Sequence, residues 1–173
     1  MPGDRKSVLA ETNFWEELLA LRDRQRDQTR NAICVVKEKD LPLETNRQGL
    51  MRWYLHPAIK DTVLSTFLFF QQEIPPGSRS GRIKCQGGQV MIVLEGSGYT
   101  LLDGVKYVWK ASDVLNIPIR GRGIAMQHFN SDPENVAKFV MAEPNWFECT
   151  TVDRSSGFEQ LEDAPEYQAH PSR

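Results

Sequence analysis

From Ala32 onward the chain is cut into short apolar runs by glycine, proline, asparagine and aspartate, and this punctuation confines it to an all-β sandwich or barrel. Strands are predicted at Ile33 to Lys37, Gly49 to Leu55, Val63 to Ile74, Gln89 to Glu95 and Gly98 to Leu102. Further strands are predicted at Lys106 to Lys110, Asp113 to Ile117, Ile124 to Asn130 and Ala137 to Glu143. The breaks carry turn chemistry. Glu95-Gly96-Ser97-Gly98 and Asp103-Gly104 suit hairpins, because glycine adopts positive φ without a Cβ clash. Pro75-Pro76-Gly77 and Asn130 to Glu134 end strands in the same way.

The first thirty residues follow a different period. Asn13 stands three residues before Glu16, a usable N-cap, and Phe14, Trp15, Leu18, Leu19 and Leu21 recur at helical spacing. A helix is therefore predicted from Asn13 to Thr29. Its second half is polar, and Asp23 and Asp27 interleave with the arginines, so it reads as a solvated face and not as a nucleic-acid stripe. After about Thr151 aliphatic residues thin out and charges and prolines accumulate. Three segments result: a helical extension over 1–30, a barrel over 31–150, and a tail over 151–173 that drapes on the barrel or frays.

A net charge of -2 gives no field to gather nucleic acid or an anionic membrane. No apolar run approaches the roughly 18 residues that span a bilayer. Three widely spaced cysteines, Cys34, Cys85 and Cys149, and an N-terminus without an apolar h-region point to a reducing, cytoplasmic setting. Of the three histidines, His170 falls in the polar tail and His56 precedes Pro57 in a turn, which leaves His128 as the histidine of the barrel interior.

The segment from Ile74 to Asn130 resembles the two sequence motifs of the cupin superfamily. Gly77 or Gly81 opens the first motif and Val93 to Gly96 closes it; Asp113 and Pro118 place the second, and Asn130 ends it. The resemblance implies a cupin double-stranded β-helix, a jelly-roll barrel, with the N-terminal α-helix as an addition. It also implies a homodimer and a small-molecule ligand. Carried over residue by residue, the motif-one histidines fall on Ile83 and Cys85, the motif-one acid on Gln89 and the motif-two histidine on Met126. All four usual metal ligands are replaced. Isoleucine has no lone pair and glutamine offers a neutral carbonyl, so a hard divalent ion in the ordinary cupin mode is disfavoured. Cys85, Met126 and His128 are the soft donors that remain, suited to copper or, less well, to zinc, with iron as a further alternative.

Alternate strand positions share a face, so Ile83 and Cys85 are expected to point inward together, as are Met126 and His128. His128, with an ordinary pKa of about 6.5, is the candidate proton carrier, and Cys85 beside it is a candidate nucleophile. Gln89, Met126 and Ile83 are expected as ligand contacts. Arg82 and Arg120, with Arg79 and Arg122 nearby, are candidate carboxylate forks, and Tyr99 a candidate aromatic wall. The leading expectation is an enzyme of the isomerase, cyclase or lyase type, acting without a metal on a small carboxylate-bearing metabolite, aromatic ones included. One alternative is a metal-dependent dioxygenase, since Gly98 to Gly104 is similar to the corresponding hairpin of gentisate-type ring-cleaving cupins. Another is a non-catalytic binder or sensor, because loss of a ligand set also marks a retired site.

Overall fold

The period-two alternation of the chain becomes two antiparallel sheets facing each other, in a computed structural model that describes residues 5–145. The strands are β1 (Glu44–Asn46), β2 (Gly49–Leu55), β3 (Phe67–Ile74), β4 (Ile83–Cys85) and β5 (Gln89–Glu95). They continue as β6 (Ser97–Leu102), β7 (Val105–Lys110), β8 (Val114–Ile117), β9 (Ile124–Asn130) and β10 (Ala137–Pro144). One sheet has the order β1-β2-β3-β10-β5-β8 and the other β4-β9-β6-β7. The expected tail over 151–173, Cys149 and His170 lie outside the described residues.

Side chains alternate inward and outward along β5, β6, β9 and most of β10, and the inward set is the core. On β5 it is Gln89, Met91 and Val93; on β9 it is Ile124, Met126, His128 and Asn130; on β10 it starts Ala137, Phe139, Met141. Phe139 and Met91 are fully buried, and each such side chain contributes about 1.5–3 kcal/mol relative to its exposed state. Asn130 ties the end of β9 to β3: its Nδ2 donates to the carbonyls of Ile74 at 3.0 Å and Asn135 at 2.8 Å.

The predicted turns form as their residues require. Gly96 has φ 79° and sits against the backbone of Val136 and Ala137, where a Cβ would stand 2.8 Å from a carbonyl oxygen. Asp103 and Gly104 both take positive φ, the signature of a type I′ hairpin between β6 and β7.

Helix α2 (Phe14–Arg30) follows a shorter helix, α1 (Arg5–Glu11), which has too few turns for a readable period. The Asn13 cap forms as predicted, its Oδ1 accepting from the amides of Trp15 at 3.2 Å and Glu16 at 3.3 Å. On the polar half, Arg22 pairs with Asp23 and Arg30 with Asp27, so part of the arginine charge is locally offset. No helix among the described residues is long and apolar enough to cross a membrane.

Two strand expectations are corrected. Ile33 to Lys37 makes a single bridge, Ile33 to Thr62, and joins no sheet. Its apolar residues flank Trp53 and Tyr54 on β2 and never pair along a ladder. The strand expected from Val63 begins only at Phe67, because residues 61–66 are taken up by that bridge and by bends. The short strands β1 and β4 add pairings that the apolar runs do not announce.

Candidate active site

Where β5 begins and β10 ends, the inward side chains leave a cavity of about 370 Å³, within the range of small-molecule sites. Its apolar walls include Met51, Trp53, Phe70, Ile83, Met126 and Met141, and its polar groups include Gln72, Gln89, His128 and Glu143. The pleat places each of these. Met141 and Glu143 are two apart on β10, as are Met126 and His128 on β9 and Phe70 and Gln72 on β3, so each pair shares the interior face.

Glu143 is the acid of the cavity, and sequence reasoning passed it over. Register pairs Val90 with Ala142, which sets Gln89 beside Glu143 across the β5–β10 ladder. The Gln89 Nε2 donates to Glu143 Oε2, while the Cys85 thiol donates to Gln89 Oε1 at 3.9 Å. An ionised carboxylate only accepts, so the amino group of the carboxamide turns to Glu143 and its carbonyl is left facing the thiol. Burial raises the Glu143 pKa above the ordinary carboxylate value, and the Gln89 hydrogen bond partly offsets the rise.

His128 occupies another wall and is buried. Its backbone amide donates to Ser80 Oγ at 2.9 Å, and its ring leans on Phe139 with centroids 4.9 Å apart. Thr100, its direct partner on β6, brings Oγ1 to 2.8 Å from Nδ1, and Trp109 Nε1 donates to the same hydroxyl at 3.0 Å. Burial lowers the imidazole pKa from 6.5 to about 4, so the ring is neutral at physiological pH.

The mouth is a turn. Between β1 and β2, Asn46, Arg47 and Gln48 line the opening, and the Gln48 carbonyl accepts from Gln72 Nε2 and from the Gly81 amide. A Cβ at Gly81 would stand 2.3 Å from the Arg47 carbonyl, so only glycine permits this contact. The Arg47 guanidinium forms no ion pair among the described residues.

Ile83, Gln89, Met126 and His128 meet in the cavity as the alternation requires. The remaining site expectations are corrected. Cys85 turns to Gln89 and is absent from the cavity wall, and no hydrogen bond joins it to His128. Tyr99 faces away, because the inward residues of β6 are Gly98, Thr100 and Leu102; it stacks on Phe129 at 4.7 Å. Arg82 precedes the inward Ile83, is exposed and borders a separate hollow. Arg120 is exposed and bonded to Asp103 at 2.8 Å. His56 stays outside the cavity, edge-on to Trp53 at 4.8 Å.

Seen as solved structures, several proteins share this arrangement. The polyketide cyclase RemF from Streptomyces resistomycificus superimposes with a TM-score of 0.53 at 18% identity, over 65% of this chain and 79% of its own. A Cupin 2 conserved barrel domain protein from Salinispora arenicola gives 0.51 at 18% identity, over 65% of this chain and 88% of its own. The fold is a cupin barrel. A predicted oxalate decarboxylase from Thermotoga maritima gives 0.50 at 22% identity, over 62% of this chain and 96% of its own. No family profile matches the sequence, and no curated protein matches it.

The cupin resemblance implies a metal, and the residues present do not fit one in the usual mode. The positions that would ligate it carry Ile83, Cys85, Gln89 and Met126, and among the described residues no group of three or more His, Cys, Asp and Glu is placed to hold an ion. Of the soft donors, Met126 and His128 line the cavity, while the Cys85 thiol meets the Gln89 carbonyl at 3.9 Å.

Proposed function

We propose that this cupin barrel is a non-oxidative proton-transfer enzyme of the isomerase, cyclase or lyase kind, acting on a small carbonyl compound that carries a carboxylate. The carrying observation is the placement of Glu143 and His128 on the walls of one largely apolar cavity. A desolvated carboxylate is a stronger base than one in water, and apolar walls keep water from competing for the transferred proton.

In this reading Glu143 takes a proton from the carbon next to a carbonyl. The C–H electron pair forms a C=C bond, and the carbonyl π pair moves onto oxygen. In a substrate with a C=C bond conjugated to the enolate, return of the proton from Glu143 to the far carbon of that system completes an isomerisation. Attack by the enolate carbon on a second carbonyl of the same molecule breaks that carbonyl's π bond, and its oxygen takes the proton back from Glu143 to complete a cyclisation. Neither outcome consumes an oxidant. Arg47 at the mouth holds the substrate carboxylate through its guanidinium fork. A protein of this fold is named a polyketide cyclase, which accords with the reaction class.

The test uses chelator-treated protein in D2O with a panel of 2-oxo and β-keto acids, followed by proton NMR. Solvent deuterium should enter the carbon next to the carbonyl of at least one member. Glu143→Gln should slow this by about 100-fold or more. Exchange no faster with wild type than with Glu143→Gln, or exchange that appears only when metal is restored, would remove the reading.

A further inference from the structure

Trp109, Thr100 and His128 form a buried polar chain in the barrel, and its hydrogen count has one solution. An indole N–H only donates, so Thr100 Oγ1 accepts from Trp109 Nε1 at 3.0 Å. Thr100 is fully buried, and the hydroxyl's other bonded neighbour is His128 Nδ1 at 2.8 Å. Were Nδ1 to carry the imidazole proton, the hydroxyl would accept twice and its own hydrogen would be buried without an acceptor, an arrangement folded proteins avoid. The hydroxyl therefore donates to Nδ1, and the proton sits on Nε2.

We infer that Thr100 and Trp109 are positioning residues that lock His128 as its Nε2–H tautomer, making it a hydrogen-bond donor to a ligand oxygen and not a proton acceptor. Among the described residues no buried polar side-chain atom lacks a partner and none bonds to Nε2, so Nε2–H opens toward the cavity. Protonating the ring at Nδ1 would require the hydroxyl hydrogen to swing into a site with no acceptor. The lowered imidazole pKa agrees with this.

The backbone is built to keep the chain in line. Thr100 and His128 are direct cross-strand partners, as are Gly98 and Trp109. A Cβ at Gly98 would lie 2.5 Å from the indole, so glycine leaves the room that Trp109 occupies when it reaches the hydroxyl. Phe139 closes one side of the imidazole.

Resting on the proposed proton transfer, this divides the labour of the site: Glu143 accepts the proton, and His128 Nε2–H stabilises the oxygen on which negative charge develops. The experiment is a long-range proton–nitrogen NMR spectrum of histidine-labelled, full-length protein, with the His128 signals assigned by their loss in His128→Asn. Wild type should show a protonated Nε2 and an unprotonated Nδ1 from pH 8 down to pH 5. Thr100→Ser should keep that pattern, and Thr100→Val should give mixed tautomers and lower deuterium exchange by about 10-fold or more with little change in substrate KM. A wild-type spectrum with the proton on Nδ1, or a ring that protonates near pH 6.5, would overturn the inference. The spectrum needs no substrate, so it succeeds or fails independently of whether Glu143 transfers protons.

Discussion

Gly98 lies directly beneath the indole of Trp109, so close that a methyl group added there would stand 2.5 Å from the ring and 2.0 Å from the Phe129 carbonyl oxygen. Gly98→Ala should therefore be severely destabilising, by about 3 kcal/mol or more, because neither the backbone nor the ring has room to retreat. Chemical denaturation of the variant measures this. A loss below about 1 kcal/mol would show that Trp109 can repack.

Acid should weaken the fold through His128. Its folded-state pKa is about 4 against an ordinary 6.5, so between those values the unfolded chain binds a proton that the folded chain does not. Stability is then lost as pH falls from about 6.5 to 4, by about 3 kcal/mol in all. Glu143 acts with the opposite sign: its raised pKa favours the folded state while protonated, a contribution lost as pH rises through its folded value. Urea unfolding at pH 7 and pH 4.5 separates the two. His128→Asn should lose less stability on acidification than wild type, by about 2–3 kcal/mol. Equal losses in both proteins would place the acid sensitivity elsewhere.

The Gln89 amide opposes the rise that burial imposes on the Glu143 pKa. Gln89→Leu removes the hydrogen bond that offsets burial, so the Glu143 pKa should rise further. If deuterium exchange follows the ionised form, the acid limb of its pH–rate profile should move to higher pH by about one unit. A limb that stays in place would mean that the amide does not tune the acid.

Ligand charge should matter at the mouth. Arg47→Met should weaken binding of a carboxylate ligand by about 10-fold at low salt and leave its uncharged amide analogue nearly unaffected. The difference should shrink as salt is added, because Arg47 is exposed to solvent. Calorimetry with the acid and amide of one ligand reads this directly. Equal losses for both would assign Arg47 a packing role.

The barrel is legible in the sequence because alternation and turn chemistry are local, and the cupin-like motifs fall where β4 to β9 form. The cavity is legible only in part. Glu143 lies two positions after Met141 on a segment whose alternation is plain, so the same rule that turns Met126 and His128 inward also turns Glu143 inward. It stands outside the two motifs, so the cupin resemblance assigns it no role. Arg47 could not be read so easily, since it reaches the mouth through β1, a three-residue strand too short for a readable alternation, and through the close contact at Gly81, a residue distant in sequence. Arg120 and Tyr99 failed for the complementary reason: residue type suggested chemistry, while strand parity and the bond to Asp103 direct them elsewhere.

Met51, Met126 and Met141 bring three thioethers to one small cavity. Unbranched side chains with three rotatable bonds reshape at little cost, so such a wall moulds itself to whatever enters and discriminates weakly between ligands of similar bulk. Selectivity in this barrel must then reside in its few fixed polar points, and a series of acids differing only in the shape of the hydrocarbon part should bind within a narrow range of affinities.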